Sequence, residues 1–145
     1  MKKLAMLLIA LAPITLAQQM ETFRSIEVSP GIYMLERVNS LSSNVGLLVG
    51  DEYIVLIDNG MASDITALLD AAEELAGRPV DFIINTHGHG DHVGSNQRFA
   101  DLGAIIVAHD NVRKHMIPNP MLNTGHGALP IITFSDEVTF HINGQ

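Results

Sequence analysis

Three observations predict an α/β layered domain. The chain opens with apolar or alternating runs separated by turn residues, which read as strands. A long segment then changes to helical period, and beyond it short apolar runs alternate with helical stretches, the pattern of a sheet covered by helices. Phe23 to Val28 and Ile32 to Arg37 flank Ser29-Pro30-Gly31, where Pro30 presets φ and Gly31 permits positive φ. Val45 to Val49 and Tyr53 to Ile57 flank Gly50-Asp51-Glu52 in the same way, so the start is a β-meander. After Asp58-Asn59-Gly60, the residues Ile65, Leu68, Leu69, Ala72, Leu75 and Ala76 recur at helical spacing. Ser63 or Asp64 can cap that helix, and Gly77 followed by Pro79 stops it.

Val80 to Ile84 fits a buried strand, Asn85 to Gly94 a glycine-punctuated polar loop, and Asn96 to Asp101 a short helix. Ala104 to Ala108 is another buried strand and Asn111 to Met116 one or two helical turns. Ile117 to Pro130, with three prolines and two glycines, reads as a surface loop, and Ile131 to Phe134 and Val138 to Ile142 as short strands. Asn143-Gly144 after an alternating strand is a strong hairpin signal, yet only Gln145 follows. Val138 to Ile142 would then be an apolar edge, which proteins usually cover, so the local rules suggest a sequence shorter than its fold.

The chain has 145 residues, a formal charge of −8 and no cysteine. Much of its apolar character sits at the start: Lys2-Lys3 is a basic n-region, Leu4 to Leu16 an apolar h-region, and Ala17 the small residue signal peptidase needs. Those 13 residues are too few to cross a bilayer as a helix, so residues 1–17 read as a cleaved export signal rather than an anchor. The expected mature domain is residues 18–145, periplasmic or secreted and without stable membrane association. Losing Lys2 and Lys3 takes its charge from −8 to −10, which disfavours nucleic acid and anionic membrane as partners. Without thiols, any metal must be held by nitrogen and oxygen.

The segment Thr86-His87-Gly88-His89-Gly90-Asp91-His92-Val93-Gly94 holds three of the seven histidines. His87 and His89 are two apart, so on extended chain both imidazoles leave the same side. Glycines at 88 and 90 let the backbone turn sharply and bring Asp91 and His92 to the same cavity. Imidazole and carboxylate suit zinc, iron or manganese. Four donors on so short a segment can hardly all close round one tetrahedral ion, and two adjacent ions sharing the loop resolve the crowding. The loop leaves the carboxyl end of a buried strand, where open α/β sheets put their sites.

Asp58 ends another apolar strand at the same sheet edge, where its carboxylate can accept the second ring N–H of a ligating histidine. An Asx turn over Asp58-Asn59-Gly60 is the competing reading. His109 ends a strand near the same face but can equally cap the following helix. His126 reads as a mobile exposed residue, and His115 and His141 as solvated.

The motif His87-x-His89-x-Asp91-His92, preceded by a strand and by Asp58 in Val55-Leu56-Ile57-Asp58-Asn59-Gly60, resembles the metallo-β-lactamase superfamily. The likeness covers about residues 23 to 145 and implies the amino-terminal half of an αβ/βα sandwich. It implies that His87 and His89 ligate the first metal, that Asp91 and His92 ligate the second, and that Asp91 also orients the nucleophile. It implies two zinc ions with a bridging hydroxide, whose parent water has its pKa lowered towards about 7. The substrate would be a small carbonyl ester, lactam, lactone or thioester. A third histidine, a bridging aspartate and a last histidine, which the family takes from its carboxyl-terminal half, have no counterpart here. Two readings follow: an exported metallo-hydrolase represented by a fragment, or a non-catalytic zinc-binding truncated relative. The first predicts that nucleotide sequence beyond codon 145 encodes a strand and further histidine and aspartate ligands. A stop codon there, with no frameshift nearby, overturns it.

Overall fold

The apolar runs pair into one mixed sheet in a computed structural model, which describes residues 22–144 apart from 39 and 41. The expected export signal, residues 1–17, lies outside the described residues. Strands β1 (Phe23–Ser29), β2 (Ile32–Arg37), β3 (Val45–Val49) and β4 (Ile54–Ile57) form the antiparallel meander. From β4 the pairing turns parallel through β5 (Phe82–Asn85), β6 (Ile105–His109) and β7 (Ile132–Phe134), and the strands lie in sequence order across the sheet.

Helix α1 (Ile65–Ala76) has the bounds its periodicity predicts and ends at Gly77, a left-handed cap (φ 66°) whose N–H donates to Glu73 O. Its apolar stripe packs with α3 (Asn96–Asp101) on one sheet face. Leu68 and Ala72 of α1 and Phe99 of α3 meet Leu35, Leu47, Leu56, Ile83 and Ile106 from five strands. A smaller cluster joins Ala108 to Val112 and Met116 of α4 (Asp110–Met116) and to Val93. The other face is apolar too: Ile57, Ile84 and Val107 align across β4 to β6, and Val55 and Val107 are buried. That explains why these strands read as unbroken apolar runs rather than alternating ones. Among the described residues, no helix is long and apolar enough to cross a membrane.

Four sequence expectations are corrected. Val138 to Ile142 alternates like a strand but pairs with none; the segment lies against the second sheet face, with Phe140 edge-to-face on Phe82 at 5.7 Å. Asn143 and Gly144 both have positive φ (54° and 73°), the backbone of a type I′ turn. The Asn143 side chain accepts from Glu52 N and Tyr53 N and donates to Tyr53 O. Asp64 makes no cap bond with its side chain. It is buried and takes two bonds from Arg37, at 2.9 and 3.0 Å, which hold the Arg37 pKa above its ordinary value. The 117–130 segment is irregular but anchored, with Ala128 and Pro130 buried and Leu122 and Leu129 packed on the smaller cluster.

Finally, the polar loop contains a helical turn, α2 (Gly90–Val93), and glycine is needed elsewhere than expected. Neither Gly88 nor Gly90 has positive φ. A Cβ at Gly88 would meet the His115 ring at 2.8 Å, whereas one at Gly90 would make ordinary contact with Leu122 at 3.8 Å. At Gly94 a Cβ would collide with the Gly90 carbonyl and lie 2.6 Å from Ala62 N and 2.9 Å from Gly60 O. All three are backbone atoms that cannot swing away. Gly94→Ala should therefore cost roughly 1–3 kcal/mol or more in urea unfolding, as overpacking does. Gly90→Ala should change stability by less than about 1 kcal/mol. Equal effects would refute this packing account.

Candidate metal centre

The candidate residues meet where β4 and β5, parallel neighbours, deliver their carboxyl ends to one edge. Asp58 follows β4 with φ 62°, a left-handed conformation that aspartate tolerates better than most residues. Its N–H donates to Ile84 O, and the next two residues pair with the turn opposite: Asn59 N donates to His92 O, and Gly94 N to Gly60 O. The segment after β4 is thereby stitched to α2, which carries Asp91 and His92.

Asp58 is 5% exposed and its carboxylate accepts three hydrogen bonds. They come from Thr86 N (2.8 Å), Thr86 Oγ1 (2.6 Å) and His92 Nδ1 (2.8 Å). These long-range partners, rather than an Asx turn, account for its side chain. A carboxylate only accepts, so His92 carries a proton on Nδ1, and in the neutral ring Nε2 is the nitrogen with the lone pair. Thr86 Oγ1 gives its one proton to Asp58, so towards His87 Nδ1, 3.1 Å away, it can only accept. His87 therefore also holds its proton on Nδ1 and presents Nε2. One buried carboxylate sets the tautomer of both imidazoles, directly for His92 and through the Thr86 hydroxyl for His87.

The exposed ends of these rings form two donor pairs. His87 Nε2 stands 3.2 Å from His89 Nδ1, and His92 Nε2 stands 3.5 Å from Asp91 Oδ2. Two ligands bound tetrahedrally at about 2.0–2.1 Å to one zinc are roughly 3.3–3.4 Å apart. Each pair therefore has the spacing of two ligands on a shared ion. The pairs are also adjacent, since the His87 and His92 rings lie 3.8 Å apart, centre to centre. The donor set, nitrogen and oxygen only, suits zinc and does not exclude iron or manganese. Among the described residues, no group of three or more such side chains converges on a single point. The fit is thus to two half-shells of two donors each.

The other histidines stand apart from these pairs. His109 caps α4, with Nδ1 accepting from Asn111 N at 3.0 Å and Nε2 donating to Ser135 O at 2.7 Å. His126 and His141 are exposed, and the exposed His115 ring lies over Gly88. Sequence reasoning missed Thr86 and Ser43, whose hydroxyl donates to the Asp91 carbonyl from the loop between β2 and β3. It also missed the asparagines behind α2, although Asn85, a polar end to the apolar run Phe82-Ile83-Ile84, was a readable signal. Asp58→Ala leaves Thr86 N, Thr86 Oγ1 and His92 Nδ1 without their acceptor and should cost about 2–4 kcal/mol of stability in urea unfolding. A loss below about 0.5 kcal/mol would mean the carboxylate does not organise the loop.

Comparison with known proteins identifies the fold family. The family model of the metallo-beta-lactamase superfamily matches residues 38–143. A metallo-beta-lactamase from Pontibacter korlensis superposes with a TM-score of 0.70 at 22% identity, covering 85% of this chain and 57% of that one. The HARLDQ-motif enzyme of Cronobacter sakazakii, titled a metallo-beta-lactamase, gives 0.64 at 22% identity, with 83% and 51% covered. One from Hirschia baltica gives 0.60 at 18%, with 81% and 53% covered. The chain spans about half the length of these structures, and the likeness at such identity is one of fold. A search of curated proteins finds no match. With the family model spanning most of its length, the chain belongs to the metallo-β-lactamase superfamily.

Proposed function

We propose that the chain is the amino-terminal, metal-binding part of an exported hydrolase that opens small carbonyl compounds: esters, lactams, lactones or thioesters. The observation that carries this reading is the pair of donor couples, 3.2 and 3.5 Å wide, set side by side at the carboxyl edge of the parallel strands. His87 Nε2 and His89 Nδ1 would hold one ion, and Asp91 and His92 Nε2 the other. Zinc ions bound there would lower the pKa of a water and polarise the substrate carbonyl. The protein's own contribution is to bind the Nδ1 protons of His87 and His92 through Thr86 and Asp58, so that in each neutral ring Nε2 is the nitrogen free to bind an ion. The Asp91 carboxylate would accept a hydrogen bond from such a water and so orient it towards the substrate carbonyl. By the resemblance, the remaining ligands would come from a carboxyl-terminal half of the fold.

Export is part of the proposal and rests on the basic, apolar and small-residue order of residues 1–17. Expressed in a bacterial host, the chain should reach the export compartment cut after Ala17. The mature chain should bind zinc, releasable by chelator, with His89→Ala weakening binding beyond the roughly 10–100-fold that loss of an outer partner costs. Turnover needs the remaining ligands as well, so a chromogenic ester or lactam should be hydrolysed, in a chelator-sensitive and His89-dependent manner, by a chain extended through the other half of the fold and not by residues 18–145 alone. Zinc binding without turnover in that extended chain would identify a non-catalytic zinc-binding relative, and unchanged metal content in His89→Ala would remove the metal reading altogether.

A further inference from the structure

Behind α2 lie four buried polar side chains: Asn59 and Asn96, both fully buried, Asn85 at 3% exposure and Ser95 at 2%. The three asparagines form one directed chain of hydrogen bonds. Ser95 N donates to Asn59 Oδ1 (2.9 Å), and Asn59 Nδ2 donates to Asn96 Oδ1 (2.5 Å). Asn96 Nδ2 donates to Asn85 Oδ1 (2.9 Å), and Asn85 Nδ2 donates to His92 O (3.3 Å). The second proton of Asn96 Nδ2 goes to Ala128 O (2.9 Å). Turning the Asn96 amide over would set nitrogen against Asn59 Nδ2 and oxygen against two acceptors, so the direction is unique. Amides aligned head to tail polarise one another, and the run ends on the carbonyl of a metal-ligand candidate. Three carboxamides in a core cost more desolvation than apolar residues of the same size would. Their arrangement acquires a reason from where it ends.

We infer that Asn59, Asn85 and Asn96 are positioning residues for the histidine loop. Their amide chain holds the His92 carbonyl, already bonded to Asn59 N, and so sets where the Asp91 and His92 side chains stand. They touch neither ion nor substrate and act through the backbone of α2. The consequence for metal binding rests on the function proposed above, whereas the positioning itself can be read without metal.

Asn85→Leu is the discriminating variant. It keeps the branching of the side chain while removing both polar atoms, and the groups it deserts retain partners: His92 O keeps Asn59 N, and Asn96 Nδ2 keeps Ala128 O. Leu68→Ala, in the core beneath α1, controls for lost stability. In the metal-free chain labelled with ¹⁵N-histidine, the imidazole correlations should show His92 as a single Nδ1–H tautomer in wild type and in Leu68→Ala. In Asn85→Leu they should show averaged tautomers. Zinc affinity measured against a chromogenic chelator should fall roughly 10-fold or more in Asn85→Leu, yet stay within about two-fold of wild type in Leu68→Ala. If Asn85→Leu does not fold, Asn85→Ser carries the same readings. A single Nδ1–H tautomer with zinc affinity within about two-fold in the folded Asn85 variant overturns the inference. Should the wild-type chain bind no zinc, the metal reading falls, and the imidazole spectrum alone decides the positioning role.

Discussion

A carboxylate buried at the end of a central strand is tolerable only if donors surround it, and at Asp58 every side-chain bond comes from the histidine segment. That requirement ties three otherwise separate features together. The chain must turn left-handed at Asp58 to aim the carboxylate across to β5. The segment leaving β5 must bend at Thr86 and His87 with the Thr86 N–H and hydroxyl both directed at Asp58. Next, α2 must bring His92 back over the same oxygen. Remove the carboxylate and nothing else near β4 satisfies those donors or selects the ring tautomers.

The sheet supplies the rigid platform for this. Because β4, β5 and β6 run parallel and are covered by α1 and α3, their carboxyl ends stop at one edge, and the three strands deliver Asp58, Thr86 and His109 to it. Two of these residues organise the donor pairs. The third caps α4, whose Met116 and Val112 pack with Val93 at the end of α2. The apolar second face is a consequence of the same topology. A sheet of parallel strands is apolar on both sides, and here the extended 137–142 segment, with Phe140 against Phe82, leaves a groove of about 770 Å³ along Leu48, Val55, Ile57 and Ile84.

What could be read from the sequence follows from how local each cause is. The β2 and β3 bounds and the whole of α1 were legible because period and stop signals lie within the segment itself. The His-x-His-x-Asp-His spacing was legible because ligand chemistry narrows the residue types. Less legible were features whose cause is a distant partner. Val138 to Ile142 has a strand's alternation but no strand beside it. Asp64 resembles a helix cap until Arg37, 27 residues earlier, claims it. Gly94 looks like one glycine among several, and only the approach of residues 60, 62 and 90 makes it indispensable. The asparagines were the hardest, since asparagine after a strand or before a helix reads as a turn residue. Their burial depends on the two crossovers that bring 59, 85 and 96 together.

Two kinds of restraint act on the histidine loop, and neither substitutes for the other. A ring N–H bonded to a carboxylate fixes the imidazole's rotation and its tautomer, but only while the Cα stands where the ring can reach that carboxylate. Backbone carbonyls held by amides fix where the Cα stands, but leave the ring free to turn. A metal-binding constellation has to be held to within about 0.5 Å and 10–20°, which demands both. At His92 both are present on one residue: Asp58 at Nδ1, and Asn59 N with Asn85 Nδ2 at the carbonyl. His87 has the ring restraint through Thr86, and its neighbour Gly88 lies beneath His115. His89, exposed, has one ring hydrogen bond, which its Nδ1–H donates to the other candidate ligand, at His87 Nε2. Of the three imidazoles His89 is the least restrained, so its orientation would gain most from a bound ion.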